Sequence, residues 1–362
     1  MTEIRVLIVD DSAVSTKLLT KLLSPLTDLE VVGTAANGKL ALPLIGQLRP
    51  DVVILDLEMP VMNGLETIVA MKQLAPHLPI IMLSALTAEG GALALEALEK
   101  GAADYIAKPG GLGSLASSTE LRRVLHQKIL QYTHLAQLAG ASGPCSSEER
   151  APISSDRPRT APEVIAIGSS TGGPQALAKL LQGIAPTMMT PIVIVQHMPP
   201  EFTKVLATRL SSQCGRRVEE AFDGAVLSPG SIWVAPGDYH LTIQMIGSEL
   251  GIRLTQKPPE NSCRPSVDPL FRSVAELLGQ GALGIILTGM GKDGFEGAKQ
   301  LRASGGSLLV QDKSTSVIWG MPGFAVKAGL AQAVLSPDHL AAEINLRAQT
   351  RAGDISRKKV SN

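Results

Sequence analysis

Ser170 is a residue whose surroundings suggest covalent chemistry. It is the central residue of Gly168-Ser-Ser-Thr-Gly172, which follows an apolar run from Val164 and precedes Pro174, a residue suited to a first helical turn. This pattern predicts a strand, a sharp turn and a helix, with the G-x-S-x-G spacing of a nucleophile elbow. The helix would also direct backbone N–H groups towards the serine, where they could stabilise a developing oxyanion.

Two phosphate-binding motifs also use glycine-rich turns, and the sequence disfavours both. A dinucleotide-binding fingerprint needs glycine in place of Ser170 and an acidic residue about 20 positions later, but residues 164–200 contain no Asp or Glu. A Walker loop needs Gly-Lys followed by Ser or Thr, whereas Gly291-Lys292 is followed by Asp293. A nucleophile is therefore favoured, and a turn with only a folding role remains the alternative.

His197 and Asp293 each follow another apolar run. Residues 191–197 are typical of a buried parallel strand with His197 at its carboxyl end. Residues 283–288 are typical of a second one, and Asp293 follows it in a glycine-rich turn. Because chemistry in open α/β sheets lies at the carboxyl ends of the strands, we expect Ser170, His197 and Asp293 to converge.

Such a convergence would supply a nucleophile, a general base and an acid that orients the base. A helix N-cap is the competing interpretation of Asp293, since Asp is favoured at that position. The chain order Ser170, His197, Asp293 differs from the Ser, Asp, His order of the α/β-hydrolases, so we expect a different fold.

A second group of polar residues lies in the first 137 residues, again where predicted strands end. Its members are Asp10, Asp11, Asp56, Ser84 and Lys108. The three carboxylates are ligands suited to Mg²⁺. With the cation bound, Asp56 could attack a phosphoryl group, while Ser84 and Lys108 engage its oxygens.

These patterns resemble two known families that together cover nearly the whole chain. Residues 1 to about 137 resemble response-regulator receivers, through the five residues just named. Residues from about 163 to 347 resemble the catalytic domain of the chemotaxis protein-glutamate methylesterases. The matching motifs are Gly168-Ser-Ser-Thr-Gly-Gly173, Gln196-His-Met198, Arg264-Pro-Ser-Val-Asp268, Thr288-Gly-Met-Gly291 with Asp293-Gly294, and Trp319-Gly-Met-Pro322.

The resemblance implies a role for each matching position. Ser170 would be the nucleophile, His197 the general base and acid, and Asp293 the orienting acid. The backbone N–H groups of Thr171 and Met290 would form the oxyanion hole. One departure is Ser169, where this family commonly has Ala, which places a second hydroxyl beside the nucleophile.

The receiver positions also gain roles from the resemblance. Asp56 would be the phosphorylated residue, Asp10 and Asp11 would share Mg²⁺ with it, and Ser84 and Lys108 would act as the switch. A histidine kinase would be the phosphodonor. The hydrolase itself would need no cofactor.

The implied function is a phosphorylation-activated serine hydrolase. It would demethylate glutamate methyl esters on methyl-accepting chemotaxis receptors, releasing methanol, and deamidate receptor glutamines. The residues alone indicate only acyl hydrolysis under phosphorylation control. Two alternatives therefore remain: a receiver-controlled esterase or amidase for another protein, and a non-enzymatic phospho-switch that binds a partner.

The predicted architecture is α/β in two domains. Residues 1–137 should form a flavodoxin-like receiver with a five-stranded, doubly wound parallel sheet. Residues 163–347 should form a mostly parallel sheet, with strands at 164–168, 191–197, 284–288 and 307–311, and inserted antiparallel hairpins at 231–236, 240–245 and 251–255.

The segments outside these two domains have a different composition. Residues 138–162 contain 11 Gly, Pro or Ser among 25 residues, which predicts a flexible linker. Residues 348–362 end in a basic stretch that we expect to be a disordered tail.

Charge and cysteine content limit the remaining classes of function. Lys plus Arg and Asp plus Glu both total 33, so no overall field attracts nucleic acid or a membrane surface. Cys145, Cys214 and Cys263 have neither disulfide nor zinc spacing. The first residues lack the long apolar core of a signal peptide. These features predict a cytoplasmic protein without nucleic-acid binding or direct membrane insertion.

Overall fold

The computed structural model of the protein describes residues 3–108, 115–141 and 161–359. The chain divides into two compact units, Met1–Glu148 and Glu149–Asn362. Most of the expected linker, residues 138–162, lies outside the described residues. The exact domain limits proposed from the sequence therefore stay predictions.

The first unit alternates strands and helices. Its elements are β1 Ile4–Val9, α1 Ala13–Leu23, β2 Leu29–Ala35, α2 Gly38–Leu48, β3 Val52–Asp56, α3 Gly64–Leu74, β4 Ile80–Ser84, α4 Ala88–Glu99, β5 Asp104–Ala107 and α5 Leu115–Ala141. Its described strands form a five-stranded sheet in the order β2-β1-β3-β4-β5. All strand pairs are parallel, so the predicted doubly wound sheet is confirmed.

Most of β1 and β3 is apolar and buried, as expected for parallel strands with helices on both faces of the sheet. Val6 to Val9 and Val52 to Leu55 have no exposed surface. The strand order reverses beside β1, and ligands of open α/β sheets bind at such a reversal, beyond the carboxyl ends of the strands.

The second unit is larger. Its elements are β6 Val164–Ser169, α6 Gly173–Gln182, β7 Ile192–Gln196, α7 Phe202–Cys214, β8 Val218–Glu220, β9 Ile232–Val234, β10 His240–Ile246, β11 Glu249–Thr255, α8 Val267–Leu278, β12 Ala282–Ile286, α9 Phe295–Ala303, β13 Ser307–Gln311, α10 Met321–Lys327, β14 Ala333–Leu335 and α11 Pro337–Lys359. The described strands form a seven-stranded sheet in the order β14-β13-β12-β6-β7-β9-β8 and a separate β10-β11 pair.

The mostly parallel sheet and the inserted hairpin are confirmed, with one correction. β10 and β11 pair antiparallel as predicted. Residues 231–236 do not form an antiparallel hairpin, because β9 lies in the main sheet, parallel to both β7 and β8. Its Ile-Trp-Val sequence is buried throughout, and a run of three apolar residues carries no information about the direction of its neighbours.

Two boundaries also differ from expectation. β12 ends at Ile286 rather than at residue 288, because the Thr288 amide donates to the Gln311 side chain at 2.8 Å and has left the sheet ladder. The helix α11 continues to Lys359, through most of the segment expected to be a disordered tail. Extending an existing helix avoids the cost of nucleation, so a polar sequence can continue it.

The position of β6 brings the candidate residues together. It lies between β12 and β7 in the parallel sheet, so the segments that follow these three strands leave the sheet at the same edge. Those segments carry Ser170, His197 and Asp293. No helix in the described ranges is both long enough and apolar enough to cross a membrane.

Candidate active site

The turn after β6 exposes Ser170 between two glycines. The Ser170 amide donates to the Thr288 carbonyl at 3.0 Å, and the Ser170 carbonyl accepts from the Gly173 amide at 2.8 Å. Gly172 has a φ of 75°, a left-handed conformation that costs glycine little. A Cβ on Gly289 would lie 2.9 Å from Ser170 Cβ, so any larger residue there would displace the hydroxyl-bearing side chain.

The two adjacent serines have different surroundings. Ser169 has no exposed surface, and its Oγ donates to Gln196 Oε1 at 2.7 Å. Ser170 is partly exposed. Gln196 Nε2 donates to the carbonyls of Ser170, at 2.8 Å, and His197, at 3.1 Å. Gln196 therefore connects the elbow to the end of β7, and of the two serines only Ser170 retains exposed surface.

His197 and Asp293 are in direct contact. His197 Nε2 lies 2.6 Å from Asp293 Oδ2, and only 11% of the His197 side chain and 2% of the Asp293 side chain are exposed. Because a carboxylate can only accept, Nε2 carries the proton and Nδ1 is the nitrogen left for a second partner.

The Asp293 carboxylate accepts several further hydrogen bonds. Oδ1 accepts from Ser266 Oγ at 2.6 Å and from the Gly294 amide at 3.0 Å, and Oδ2 accepts from the Val267 amide at 2.6 Å. The N-cap of α9 is Gly294, with no side-chain capping bond. The geometry thus favours the orienting role of Asp293 over that of a helix cap.

The environment shifts the pKa values of both partners. Burial opposes the ionisation of Asp293, but the hydrogen bonds and charge of His197, with the Ser266 and Val267 donors, hold its pKa below the ordinary value. Burial would lower the pKa of His197, but its hydrogen bonds to Asp293 and Cys263 raise it above the ordinary value. The pair is therefore arranged to stabilise an imidazolium, as the acid half of an acyl-transfer cycle requires.

The second ring nitrogen of His197 faces a residue that the sequence did not single out as functional. Nδ1 lies 3.5 Å from Cys263 Sγ. Between Ser170 and His197, both of which the structure describes, there is no hydrogen bond. Catalytic contacts of free enzymes often tighten only when substrate is bound, and Ser170 Oγ would have to approach Nδ1 if the two residues are to exchange a proton.

The residues expected at the oxyanion hole lie on the segments that contact Ser170. Thr171 follows it directly, at the entry to α6, and its carbonyl accepts from Thr288 Oγ1 at 3.0 Å. Met290 follows Gly289, whose amide and carbonyl are both hydrogen-bonded to residues 318–321. These bonds fix the backbone on both segments, as a preorganised donor pair requires.

The receiver residues converge at the carboxyl ends of β1, β3 and β5. Lys108 Nζ lies 2.9 Å from Asp56 Oδ1 and 3.8 Å from Asp10 Oδ2. One oxygen from each of Asp10, Asp11 and Asp56 lies within 4.8 Å of the others. Burial raises the pKa of Asp56, against the opposing hydrogen bond and charge of Lys108. Three clustered carboxylates form a donor set that fits Mg²⁺.

Ser84 lies at the same edge but has a different contact. It is buried at the end of β4, and its Oγ donates to the Gly90 carbonyl in α4 at 2.7 Å. To engage a phosphoryl oxygen, the hydroxyl must therefore exchange this bond for a new one. Such an exchange would transmit a change at Asp56 to α4.

Sequence analysis missed the residues that complete the His197–Asp293 environment. Ser266 lies inside Arg264-Pro-Ser-Val-Asp268, but nothing in that sequence indicates that it contacts Asp293. Asn261 and Cys263 lie in a short loop with no strand or helix pattern, and only the fold brings them to the site.

Comparison with known proteins gives consistent results over both units. A model of the CheB methylesterase family matches residues 165–344, and a model of the response regulator receiver domain matches residues 6–120. A protein-glutamate methylesterase/protein-glutamine glutaminase of Trichodesmium erythraeum is 46% identical over 347 residues, covering 95% of this chain and 99% of the relative.

Two further matches agree. A protein of the same description from Nocardioides is 46% identical over 349 residues, covering 95% of each chain. The crystal structure of the Thermotoga maritima CheB methylesterase catalytic domain is 38% identical with a TM-score of 0.50, and the match covers 51% of this chain and 98% of that one.

Proposed function

This chain belongs to the CheB methylesterase family, joined to a response regulator receiver domain, and on that premise we propose that Ser170, His197 and Asp293 carry out its chemistry. The enzyme is a protein-glutamate methylesterase and protein-glutamine glutaminase, and its receiver controls it by phosphorylation. The observation that carries the assignment of residues is the 2.6 Å contact between His197 and Asp293 at the sheet edge where Ser170 is partly exposed.

Ester hydrolysis would proceed through a covalent intermediate. Ser170 Oγ attacks the carbonyl carbon of a glutamate methyl ester while His197 Nδ1 accepts its proton. The tetrahedral oxyanion accepts hydrogen bonds from the N–H groups of Thr171 and Met290. His197 then protonates the methoxide as the C–O bond breaks, which leaves methanol and an acyl-Ser170 ester.

A water molecule completes the cycle. His197 removes one of its protons as it attacks the acyl carbon, and then returns the proton to Ser170 Oγ as the bond between the acyl carbon and Oγ breaks, so that the substrate protein leaves with a glutamate carboxylate side chain. With a glutamine side chain, the same steps release ammonia instead of methanol. Throughout, Asp293 holds the Nε2–H of His197 and stabilises the imidazolium that forms twice in each cycle.

The receiver would supply the control. Asp10, Asp11 and Asp56 would hold Mg²⁺, which offsets the repulsion between the carboxylates and the incoming phosphoryl group. Asp56 would take the phosphoryl group from a histidine kinase, and Lys108 would engage its oxygens. Ser84 would turn from α4 towards the phosphoryl group, which alters the surface of this unit.

The substrates would be methyl-accepting chemotaxis receptors, and the site of action the cytoplasm. An esterase or amidase for a different protein would share the same chemistry. A binding module without enzymatic activity is disfavoured, because no binding role requires a buried imidazole–carboxylate pair at the same sheet edge as a partly exposed serine.

The test is methanol release from methylated receptor preparations, with and without a small-molecule phosphodonor. Ser170→Ala should reduce turnover to the residual of about 10³ to 10⁴ over water that binding and the oxyanion hole supply. Ser169→Ala is the matched control, and it should remain within a few-fold of the unmodified enzyme because Gln196 keeps its other two bonds. Near-normal methanol release by the Ser170 variant would refute the assignment.

Substrate class is tested in the same assay with an unrelated protein whose carboxyl groups have been methylated chemically. Hydrolysis of receptor esters alone supports the receptor assignment. Equal rates on both proteins would favour a general protein esterase instead.

A further inference from the structure

A tight turn outside the parallel sheet contacts both members of the His197–Asp293 pair. Glu260 and Cys263 bond each other twice through the backbone, at 3.1 and 2.9 Å. Between them, Asn261 and Ser262 have φ values of 52° and 62°. Two consecutive left-handed residues between a bonded pair form a type I′ turn, in which Asn and Gly are favoured.

Asn261 uses one amide group to bond two buried carboxylates. Its Nδ2 lies 2.8 Å from Asp268 Oδ2 and 2.9 Å from Asp293 Oδ1. Asp268 and Asp293 are 3% and 2% exposed. The amide nitrogen of Asn carries two hydrogens, one for each acceptor. Two buried carboxylates this close to a shared donor repel each other, and each is costly to keep ionised without such a donor.

The other contacts of Asp268 show that it is not merely a surface acid. Its Oδ1 accepts from the Gly297 amide at 2.6 Å in the first turn of α9. Burial, and then the charge of Asp293, raise the pKa of Asp268, whereas the bonds from Gly297 and Asn261 lower it. Asn261 thus lies between two carboxylates. Asp293 contacts His197, and Asp268 has a raised pKa, so its charged form is disfavoured.

We propose that Asn261 is a positioning residue of the hydrolase, whose amide fixes Asp293 against His197 and separates the charges of Asp293 and Asp268. This inference rests on the proposed roles of Ser170, His197 and Asp293 and deepens them. Asn261 touches neither the substrate carbonyl nor the nucleophile in this scheme, and it acts only through Asp293.

The turn is anchored independently of the Asn261 side chain. Arg272 donates to both carboxylate oxygens of Glu260, at 2.7 and 2.9 Å. Arg264 donates to Asp238 and to the Gln256 carbonyl, at 3.0 and 3.1 Å. Because both flanks are held, a change of the Asn261 side chain should remove the amide without unfolding the turn.

The charged and titratable groups around the pair come from several elements. They are His197 after β7, Asp268 and Arg272 on α8, and Glu260 and Cys263 on the turn. Loss of the Asn261 donor concentrates negative charge on Asp293, which stabilises the imidazolium of His197. Since His197 acts as a base only when neutral, the acid limb of the pH profile should move to higher pH.

The test uses the full-length enzyme, with kcat and kcat/KM for methanol release measured across pH. Asn261→Gly removes the amide and keeps a residue suited to left-handed φ. It should lower kcat about 10-fold or more, the order expected for one hydrogen bond to a charged group, and shift the acid limb upward. Asn261→Asp, which adds a third carboxylate, should shift the acid limb further in the same direction.

Ser262→Gly is the matched control, because it changes the neighbouring left-handed position of the same turn on an exposed residue. It should leave kcat and the acid limb unchanged. An Asn261→Gly enzyme with the pH profile of the unmodified enzyme would overturn the proposal. So would a loss of kcat with an unshifted acid limb and a matching fall in Tm.

The outcome is separable from that of the proposed function. If Ser170→Ala retains activity, the nucleophile assignment fails whatever Asn261 does. If Ser170→Ala is inactive while Asn261→Gly behaves as Ser262→Gly, only the positioning role fails.

Discussion

Each unit of this protein contains a buried carboxylate at the carboxyl ends of parallel strands, and the pKa values of the two are shifted in opposite directions. Asp56 is 6% exposed and Asp293 is 2% exposed. Burial raises the pKa of Asp56, despite Lys108. The pKa of Asp293 is lowered instead, because the bonds and charge of His197 and other donors outweigh burial.

The number of local donors explains the difference. Asp56 accepts from the Leu57 amide at 2.9 Å and contacts Lys108, whereas Asp293 accepts from His197, Ser266 and the backbone of Val267 and Gly294. A carboxylate that must bind a cation and attack phosphorus needs free lone pairs. A carboxylate that must stay charged beside a histidine is stabilised when hydrogen-bond donors occupy its lone pairs.

The largest expected effect tests the saturated carboxylate. Asp293→Asn removes the charge and lets an amide face His197 Nε2, which disfavours the productive tautomer, so methanol release should fall by up to about 10⁴-fold. Measurement of kcat with a thermal unfolding scan separates this effect from a loss of fold. A fall of less than roughly threefold at unchanged Tm would show that Asp293 only stabilises the start of α9.

The second prediction concerns the carboxylate left with free lone pairs. Asp56→Asn cannot be phosphorylated, so it should keep basal methanol release and lose the activation by phosphodonor. A coupling free energy of about 1 to 3 kcal/mol corresponds to roughly 5- to 150-fold activation. Asp51→Asn is a control, since Asp51 bonds the Arg5 amide at the opposite end of β3, and its response should persist. A phosphodonor response retained by Asp56→Asn would place phosphorylation elsewhere.

The third prediction sharpens the comparison by removing one donor. Ser266 is fully buried, and its Oγ lies 2.6 Å from Asp293 Oδ1. Ser266→Ala should lower kcat about tenfold, because a hydrogen bond to a charged group is worth about 1.5 to 3 kcal/mol. Ser273→Ala is a matched change on α8, the helix that Ser266 precedes, and Ser273 bonds Ile243 and Leu270 instead of the pair, so it should not alter kcat. An unaffected Ser266 variant would show that Asp293 is held adequately by its other donors.

The smallest expected effect is on the position of the pH profile. The pKa of His197 is raised above its ordinary value, and the base works only when neutral. Single-turnover rates should therefore increase with pH through a midpoint above about 6.5, the ordinary value for histidine. A midpoint at or below that value would mean that the Asp293 and Cys263 contacts do not persist in the working enzyme.

The elements of the fold were largely predictable because the relevant signals are local. The apolar runs at residues 164–168 and 307–311 indicated strands that the structure contains as β6 and β13. The direction of a strand relative to its neighbours was harder to predict from the sequence. β9 was misassigned because the partners that make it parallel, β7 and β8, are distant in sequence or equally short.

The candidate sites likewise contain features that a local sequence signal predicts and features that it does not. Glycine spacing at residues 168–172 and the polar residues at strand ends were sufficient to select Ser170, His197, Asp293, Asp56 and Lys108 as candidates, because in a parallel sheet a strand end fixes where the next residue lies. Their catalytic roles stay predictions. The bond between Ser84 and α4 had no local signal, since a hydroxyl can face either of two neighbours at the same backbone position.

The sequence by itself determined which residues reach the sheet edge, because hydrophobic periodicity and glycine positions act within a few residues. Only the tertiary structure decided which hydrogen-bond partners and neighbouring charges those residues have. It placed Asn261 and Ser266 on Asp293, turned Nε2 of His197 towards the carboxylate and left Nδ1 beside Cys263. Hydrogen bonding and charge depend on distances of a few ångströms between groups that are far apart along the chain, and those distances are set only when the chain is packed.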